Sequence, residues 1–301
     1  MAAHRVLMVD PVGFRANPDT AEDNVFQKPG MTAVDPAVET AARSEFTALR
    51  RALERRGIEV AIHVPSNAGT PDAVFPNNWF STARDGTLVL YPMRAATRRG
   101  ERRPELVAWL SERYPKVVDL TGPEADGRYL EGTGSLVIDE PSRIVYASVS
   151  RRTDPVLVSE WAERFDHVPV IFAARDRDGR EIYHTNVVMG IGMGWAVVCD
   201  EAIQLPGERD RLLGSLADTD HEVVEISLDQ MHDFCGNVLE LENEDGKRFV
   251  VMSDRAHRSF RADQLAMLTR HTEPLHVDLT TIETHGGGSA RCMLAELHQG
   301  V

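Results

Sequence analysis

A long-period repeat constrains this chain more than any other feature. The same local pattern begins again near Asn78, Thr133, Asn186, Asn237 and Cys292, at spacings of 55, 53, 51 and 55 residues. Regular periods of this length mark propellers and solenoids. Each unit reads as two apolar strand runs, an amphipathic helix and a return strand. The first unit has runs at 79–82 and 88–91, a helix from Pro104 and a return at 117–118. The second has runs at 134–139 and 144–149, a helix opened by Asp154-Pro155 and a return at 168–173. The third has 187–191, 195–200, a helix after Pro206 and 223–226. The fourth has 238–241, 249–252, a helix around 263–268 and 275–279.

A fifth unit starts at 293–297, and the N-terminal residues supply its missing parts. These are a strand at 6–9, a helix opened by Asp35-Pro36, and a strand after Gly57. A capping carboxylate before proline starts a helix, and glycine ends one. Phe46, Leu49 and Leu53 recur between them at helical spacing. A doubly wound sheet would carry one strand per helix, not two before and one after. The expected fold is therefore α/β, a five-bladed pseudo-fivefold ββαβ propeller closed by the N-terminal segment. It would form one domain over residues 1–301.

Composition narrows the function classes. The chain is 42% hydrophobic and 27% charged, with a formal net charge of −14. That charge argues against a nucleic-acid surface, which needs basic patches. No run approaches the roughly 18 apolar residues of a membrane span. The first ten residues lack the apolar core of a secretory signal, so a cytoplasmic location is expected. Cys199, Cys235 and Cys292 are the only cysteines and form no CxxC pair, so neither a disulfide framework nor a zinc knuckle is indicated. No metal or other cofactor is expected. No nucleic-acid or membrane partner is expected, and homo-oligomerisation stays open.

Two stretches stand apart from the repeat. A polar loop at 11–35 carries Phe14, Phe26 and Met31, and loops of this length are usually functional or disordered. A lid containing Phe14, Asn17, Asn24 and Gln27 is one reading, and an ordered structural loop is the other. The second stretch, THGGGSARCMLAELH, sets Cys292 behind three glycines. If the first strand of each unit lines a central channel, the residues opening those strands converge. They are Asn77 and Asn78, Glu131, His184 and Asn186, Asn237, and Cys292.

The motifs PDAVFPNNWFS, LEGTGSLVID, YHTNVVMGIG, GNVLEL and GGGSARCM follow one another at one per unit. In this order they resemble the guanidino-group-modifying (pentein, or amidinotransferase) superfamily over nearly the whole chain. The N-terminal FRANPDTAEDNVFQ and the doubled asparagines look most like its citrulline-utilisation hydrolase (citrulline ureidase) group.

That resemblance implies a cysteine hydrolase. Cys292 would attack the planar carbon of a ureido or guanidino group as a thiolate. His184 would act as general acid and base, with Glu131 orienting it and favouring its protonated form. Cys199 and Cys235 read as inert buried thiols. His285, near the glycine run, is a weaker site candidate.

In arginine deiminases the motif at Glu131 continues to a second carboxylate, where this chain has Gly134. Asn78 and Asn186 stand where guanidine-hydrolysing relatives typically carry aspartates. A carboxylate only accepts hydrogen bonds, whereas an amide also donates, which suits the carbonyl of a neutral ureido group. Asp72 is a remaining carboxylate that would suit a cation. Asn77, Asn237, Phe14, Asn17, Gly287 and Arg291 complete the substrate-binding set, with backbone N–H groups at 287–290 for an oxyanion. Arg15, Arg152 and Arg291 are candidates for a substrate carboxylate.

The reaction so implied is citrulline to ornithine, ammonia and carbon dioxide. The alternatives are arginine deiminase, dimethylarginine or succinylarginine hydrolase, and amidinotransferase. From another class, the same ring serves as a non-enzymatic ribosome anti-association factor, which would have no use for a thiol, an imidazole and a carboxylate together.

Overall fold

The structure, a computed structural model, describes residues 2–27 and 33–298. Its strands form five three-stranded sheets, one per repeat. The first sheet is Phe80–Thr82, Thr87–Leu90 and Lys116–Asp119, and the second is Val137–Asp139, Ile144–Ser148 and Val168–Phe172. The third is Met189–Gly192, Trp195–Val198 and Glu222–Glu225, and the fourth is Leu239–Glu242, Arg248–Ser253 and Glu273–Val277. In all four the first two strands are antiparallel and the last two parallel.

The fifth sheet joins the two ends of the chain. Arg5–Val9 pairs antiparallel with Ala295–Glu296 and parallel with Glu59–His63. This is the pairing pattern of the other four sheets, so the N-terminal segment completes the fifth unit as expected. The arrangement is the five-bladed α/β pentein fold.

Within each sheet, sequence dictates depth. The middle strands are continuous apolar runs such as Leu88 to Leu90 and Trp195–Val198, and they are buried throughout. The return strands mix charge with apolar residues, as in Lys116–Asp119 and Glu59–His63, and are largely exposed. Charged edges of this kind discourage pairing with other chains. Each sheet is covered by the helix that precedes its return strand. Pro36–Glu54 and Pro155–Arg164 begin where expected, with the Asp35 and Asp154 carboxylates accepting backbone N–H groups of the first turn. Pro104–Ser111 and Pro206–Asp218 also open on proline, which loses no helical hydrogen bond at that position.

One expectation is corrected. The convergent residues do not open strands but sit on short turns just before them. Asn77 and Asn78 end the 3₁₀ turn Pro76–Asn78, while Glu131 and His184 precede the helical turns Gly132–Ser135 and Thr185–Val188. Side chains on a strand alternate between faces, whereas a turn can aim neighbouring groups inward together. The turns of adjacent units press backbone to backbone. Gly132 has φ +47°, and a Cβ there would lie 2.6 Å from the Asn77 carbonyl oxygen.

The loop at 11–35 is ordered where it is described. It carries a short helix, Pro18–Ala21, capped by the Asn17 side chain. Phe14, Asn17, Asn24, Phe26 and Gln27 are all buried. Met31, named with them from the sequence, lies outside the described residues. Among those residues no helix is long and apolar enough to cross a membrane.

Candidate active site

Turns from several units and the early loop enclose a small chamber. Cys292, His184, Asn78, Asp72, Phe75, Arg98, Arg152, Tyr183 and residues 286–288 line it, with Thr20 and Asn24 closing it from above. Its volume is about 10 Å³, room for the centre of one water.

Cys292 lies on the turn before Ala295–Glu296 and is only 3% exposed. Two amide groups from neighbouring units reach its sulfur. Asn237 Nδ2 is 3.2 Å from Sγ and Asn186 Nδ2 is 3.7 Å away. Both amides direct N–H donors at the sulfur. The other two cysteines lie elsewhere. Burial pushes the Cys199 and Cys235 thiols up to about 12, and neither lines the chamber.

His184 donates from Nε2 to Glu131 Oε2 at 2.9 Å, which leaves Nδ1 as the basic ring nitrogen. Burial lowers the proton affinity of His184, and the Glu131 hydrogen bond and charge oppose that only in part. Glu131 thus favours the protonated imidazole, in the direction expected from the sequence, but desolvation is the larger effect and the net shift is downward. Burial would by itself raise the Glu131 carboxyl, but Arg152 and then the bond from His184 hold it at about 2. Arg152 NH1 is 3.6 Å from Glu131 Oε2. The result is a neutral imidazole backed by a carboxylate, facing the same chamber as a thiol.

Gly134 leaves space for this pair. A Cβ at that position would lie 2.4 Å from Asn78 Nδ2 and 2.7 Å from His184 Nδ1. The missing second carboxylate is therefore a packing requirement of this site, with no room for a side chain between the imidazole and the amide.

Asn78 is oriented by a residue that the sequence did not single out. Arg98 donates from NH1 to Asn78 Oδ1 at 2.6 Å, and from Nε and NH2 to the Glu101 carboxylate at 2.9 and 3.0 Å. Its NH2 also reaches the Phe75 carbonyl at 2.9 Å. The Asn78 oxygen is thus engaged, and its buried Nδ2 has no partner among the described residues. Burial raises the proton affinity of Asp72, against the pull of Arg98. Its Oδ2 accepts from Asn17 Nδ2 at 2.8 Å and Thr20 Oγ1 at 3.2 Å, while Oδ1 is unpaired among the described residues.

Several residues expected to touch substrate do not line the chamber. Asn77 points away from it, donating to Thr133 Oγ1 of the next unit at 3.3 Å. Asn237 faces the sulfur and the Asn186 carbonyl instead. Asn186 borders a separate cavity of about 690 Å³, and so does Arg291, which ion-pairs with Glu296 at 3.2 Å. Phe14 packs in the apolar core with Phe75 and Met293. Asn17 supports Asp72 from the loop. Arg15 donates to the Gly13 and Ala68 carbonyls and lies away from the site.

Gly287 lines the chamber, but its N–H donates to the Glu283 carbonyl at 3.0 Å and so is not available to an oxyanion. The Gly287 carbonyl accepts from the Tyr183 hydroxyl at 2.6 Å. His285 does not line the chamber. Of the three arginines proposed for a carboxylate, only Arg152 faces it. No group of three or more His, Cys, Asp or Glu residues is placed to hold a metal among the described residues.

The chain has counterparts among known proteins. A family model described as N,N dimethylarginine dimethylhydrolase, eukaryotic, matches residues 10–299. No curated protein matches the sequence. Among solved structures, the N-terminal domain of ArgZ, an arginine dihydrolase from the ornithine–ammonia cycle in cyanobacteria, aligns with a TM-score of 0.77. The identity is 18%, and 98% of each chain is covered. Unliganded AgrE aligns with a TM-score of 0.77 at 19% identity, over 99% of this chain but 39% of that one. A dimethylarginine dimethylaminohydrolase carrying an S-methyl-L-thiocitrulline adduct aligns with a TM-score of 0.69 at 16% identity, covering 99% and 100%.

Proposed function

The chain belongs to the N,N dimethylarginine dimethylhydrolase family of the guanidino-group-modifying (pentein) superfamily, and from that premise we propose that it hydrolyses citrulline to ornithine, ammonia and carbon dioxide. One observation carries the choice of substrate. Arg98 holds the Asn78 oxygen, so Asn78 offers the chamber an N–H donor. A guanidinium presents only donors and would oppose it. A ureido carbonyl accepts it, and the mismatch for a buried group is worth about 1–3 kcal/mol.

In the mechanism, Cys292 gives its proton to Nδ1 of the neutral His184, and the sulfur attacks the ureido carbon. Negative charge gathers on the carbonyl oxygen, where Asn78 Nδ2 donates. The imidazolium, backed by Glu131, protonates the nitrogen of the C–N bond that breaks. A water then loses a proton to the same imidazole and attacks the carbamoyl-thiol carbon. The C–S bond breaks, the thiol is restored, and the carbamate loses carbon dioxide. Arg98 and Arg152 give the chamber wall its cationic groups. A chamber of about 10 Å³ does not admit an amino acid, so the segment bearing Thr20 and Asn24 opens to load it and shuts to exclude bulk water.

Asp72 favours a second reading. Its unpaired, buried Oδ1 would suit a guanidinium N–H, which fits an enzyme that takes arginine through both hydrolytic steps. Incubation with citrulline, arginine and dimethylarginine separates the readings. Ornithine from citrulline, with arginine untouched, is the expected result. Ornithine from both supports the second reading, and consumption of dimethylarginine alone overturns both.

Asn78→Asp is expected to lower kcat/KM for citrulline about 10–100-fold, because a carboxylate would face the developing oxyanion. The ratio of arginine to citrulline turnover should rise in the same variant. An unchanged ratio would remove Asn78 from substrate selection.

A further inference from the structure

The roof of the chamber is joined to the catalytic imidazole by one line of charges. Asp23, on the loop that carries Thr20 and Asn24, ion-pairs with Arg152, with Nε 3.2 Å from its Oδ2. Arg152 NH1 lies 3.6 Å from Glu131 Oε2, and that oxygen accepts from His184 Nε2 at 2.9 Å. Every side chain in this line is at least nine-tenths buried. The adjacent Glu22 makes a contrasting contact. It is 65% exposed and pairs with Arg94 at 3.0 Å and Arg151 at 2.8 Å. Arg94 also pairs with Asp23 at 3.1 Å and its backbone N–H donates to Glu131 at 3.0 Å, so Glu22 reaches the histidine only indirectly, through Arg94.

Six titratable or charged groups surround His184: Glu131, Arg152, Arg98, Tyr183, Cys292 and Asp72. Of the two arginines, Arg98 has its counter-charge, Glu101, on its own segment. Arg152 alone has one on the roof. When the roof lifts, Asp23 leaves and the Arg152 charge acts on His184 with only Glu131 to oppose it. A cation that close disfavours the imidazolium.

We propose that Asp23 is a positioning residue: by meeting Arg152 when the roof closes, it readies His184 to take the thiol proton only once substrate is enclosed. Closure and proton transfer are thereby coupled through Arg152 and Glu131. The proposal rests on the hydrolase reading above.

The test follows the His184 imidazole by NMR titration in histidine-labelled protein, assigned by difference from His184→Gln. The parent is compared with Asp23→Asn, Asp23→Glu and Glu22→Gln, with a thermal melt of each to show that it is folded. Asp23→Asn should lower the His184 midpoint by about half a unit or more and carry the acid limb of the kcat profile the same way. Asp23→Glu should restore the midpoint. Glu22→Gln should loosen the roof, raising KM, and leave the midpoint where it was. Equal displacement in Asp23→Asn and Glu22→Gln, or none in either, overturns the coupling. The titration needs no substrate, so a parent that hydrolyses nothing would sink the hydrolase reading while the measured midpoints still decide the coupling.

Discussion

Replacing Cys292 with alanine is expected to abolish turnover, by about a thousandfold or more, because among the described residues no other thiol lines the chamber. The protein should remain folded. The lost sulfur leaves the Asn237 and Asn186 amide groups short of an acceptor, a cost of about 1–3 kcal/mol in a domain of this size. Product assays, a thermal melt and intact mass under turnover check the prediction together. The parent should show a transient adduct on Cys292 that the variant lacks. Residual activity near the parent level would refute a thiol mechanism altogether.

Glu131→Gln is the second large effect. We expect kcat to fall by about a hundredfold to ten-thousandfold, with a smaller change in KM. The amide cannot stabilise the imidazolium that forms when His184 takes the thiol proton. Stability should change with pH in a defined direction. Glu131 is held at about 2, below its ordinary value of 4.5. A carboxyl depressed on folding stabilises the fold above its unfolded value and loses that contribution as pH falls toward its folded one. The parent should therefore lose about 3 kcal/mol between about pH 5 and pH 2 from this group. Glu131→Gln should lack that component. Chemical denaturation at several pH values measures it, and parallel curves for the two proteins would show that Glu131 carries no such linkage.

Much of the fold was legible because its punctuation is local. Proline after a capping carboxylate, glycine after a helix and unbroken apolar middle strands each follow from short-range chemistry, and they recur at one period. The turns before the first strands were not legible. Runs such as VVMGIG are apolar throughout, and periodicity alone does not divide them into a helical turn and a strand.

The site was partly legible for the same reason. The residues assigned to chemistry, Cys292, His184 and Glu131, do share one location, as does Asn78. Their immediate neighbours were misleading. Arg291 and Asn77 adjoin Cys292 and Asn78 in sequence, yet their side chains turn elsewhere, to Glu296 and to Thr133. Arg98 escaped notice because arginine is ordinarily solvated. Only the fold reveals that it is 2% exposed and bound to Glu101 and Asn78.

The fifth sheet has a consequence for synthesis. Arg5–Val9 is made early, but its antiparallel partner Ala295–Glu296 follows the other four sheets off the ribosome. Until then the nascent protein carries a strand with one open edge and lacks the turn that bears its thiol. Long-range pairing of this kind is slow to form. The Cys292 sulfur is therefore made beside the pairing that completes the fifth sheet. A growing chain holds His184 and Glu131 before Cys292, so on the proposed mechanism activity awaits the pairing of Arg5–Val9 with Ala295–Glu296.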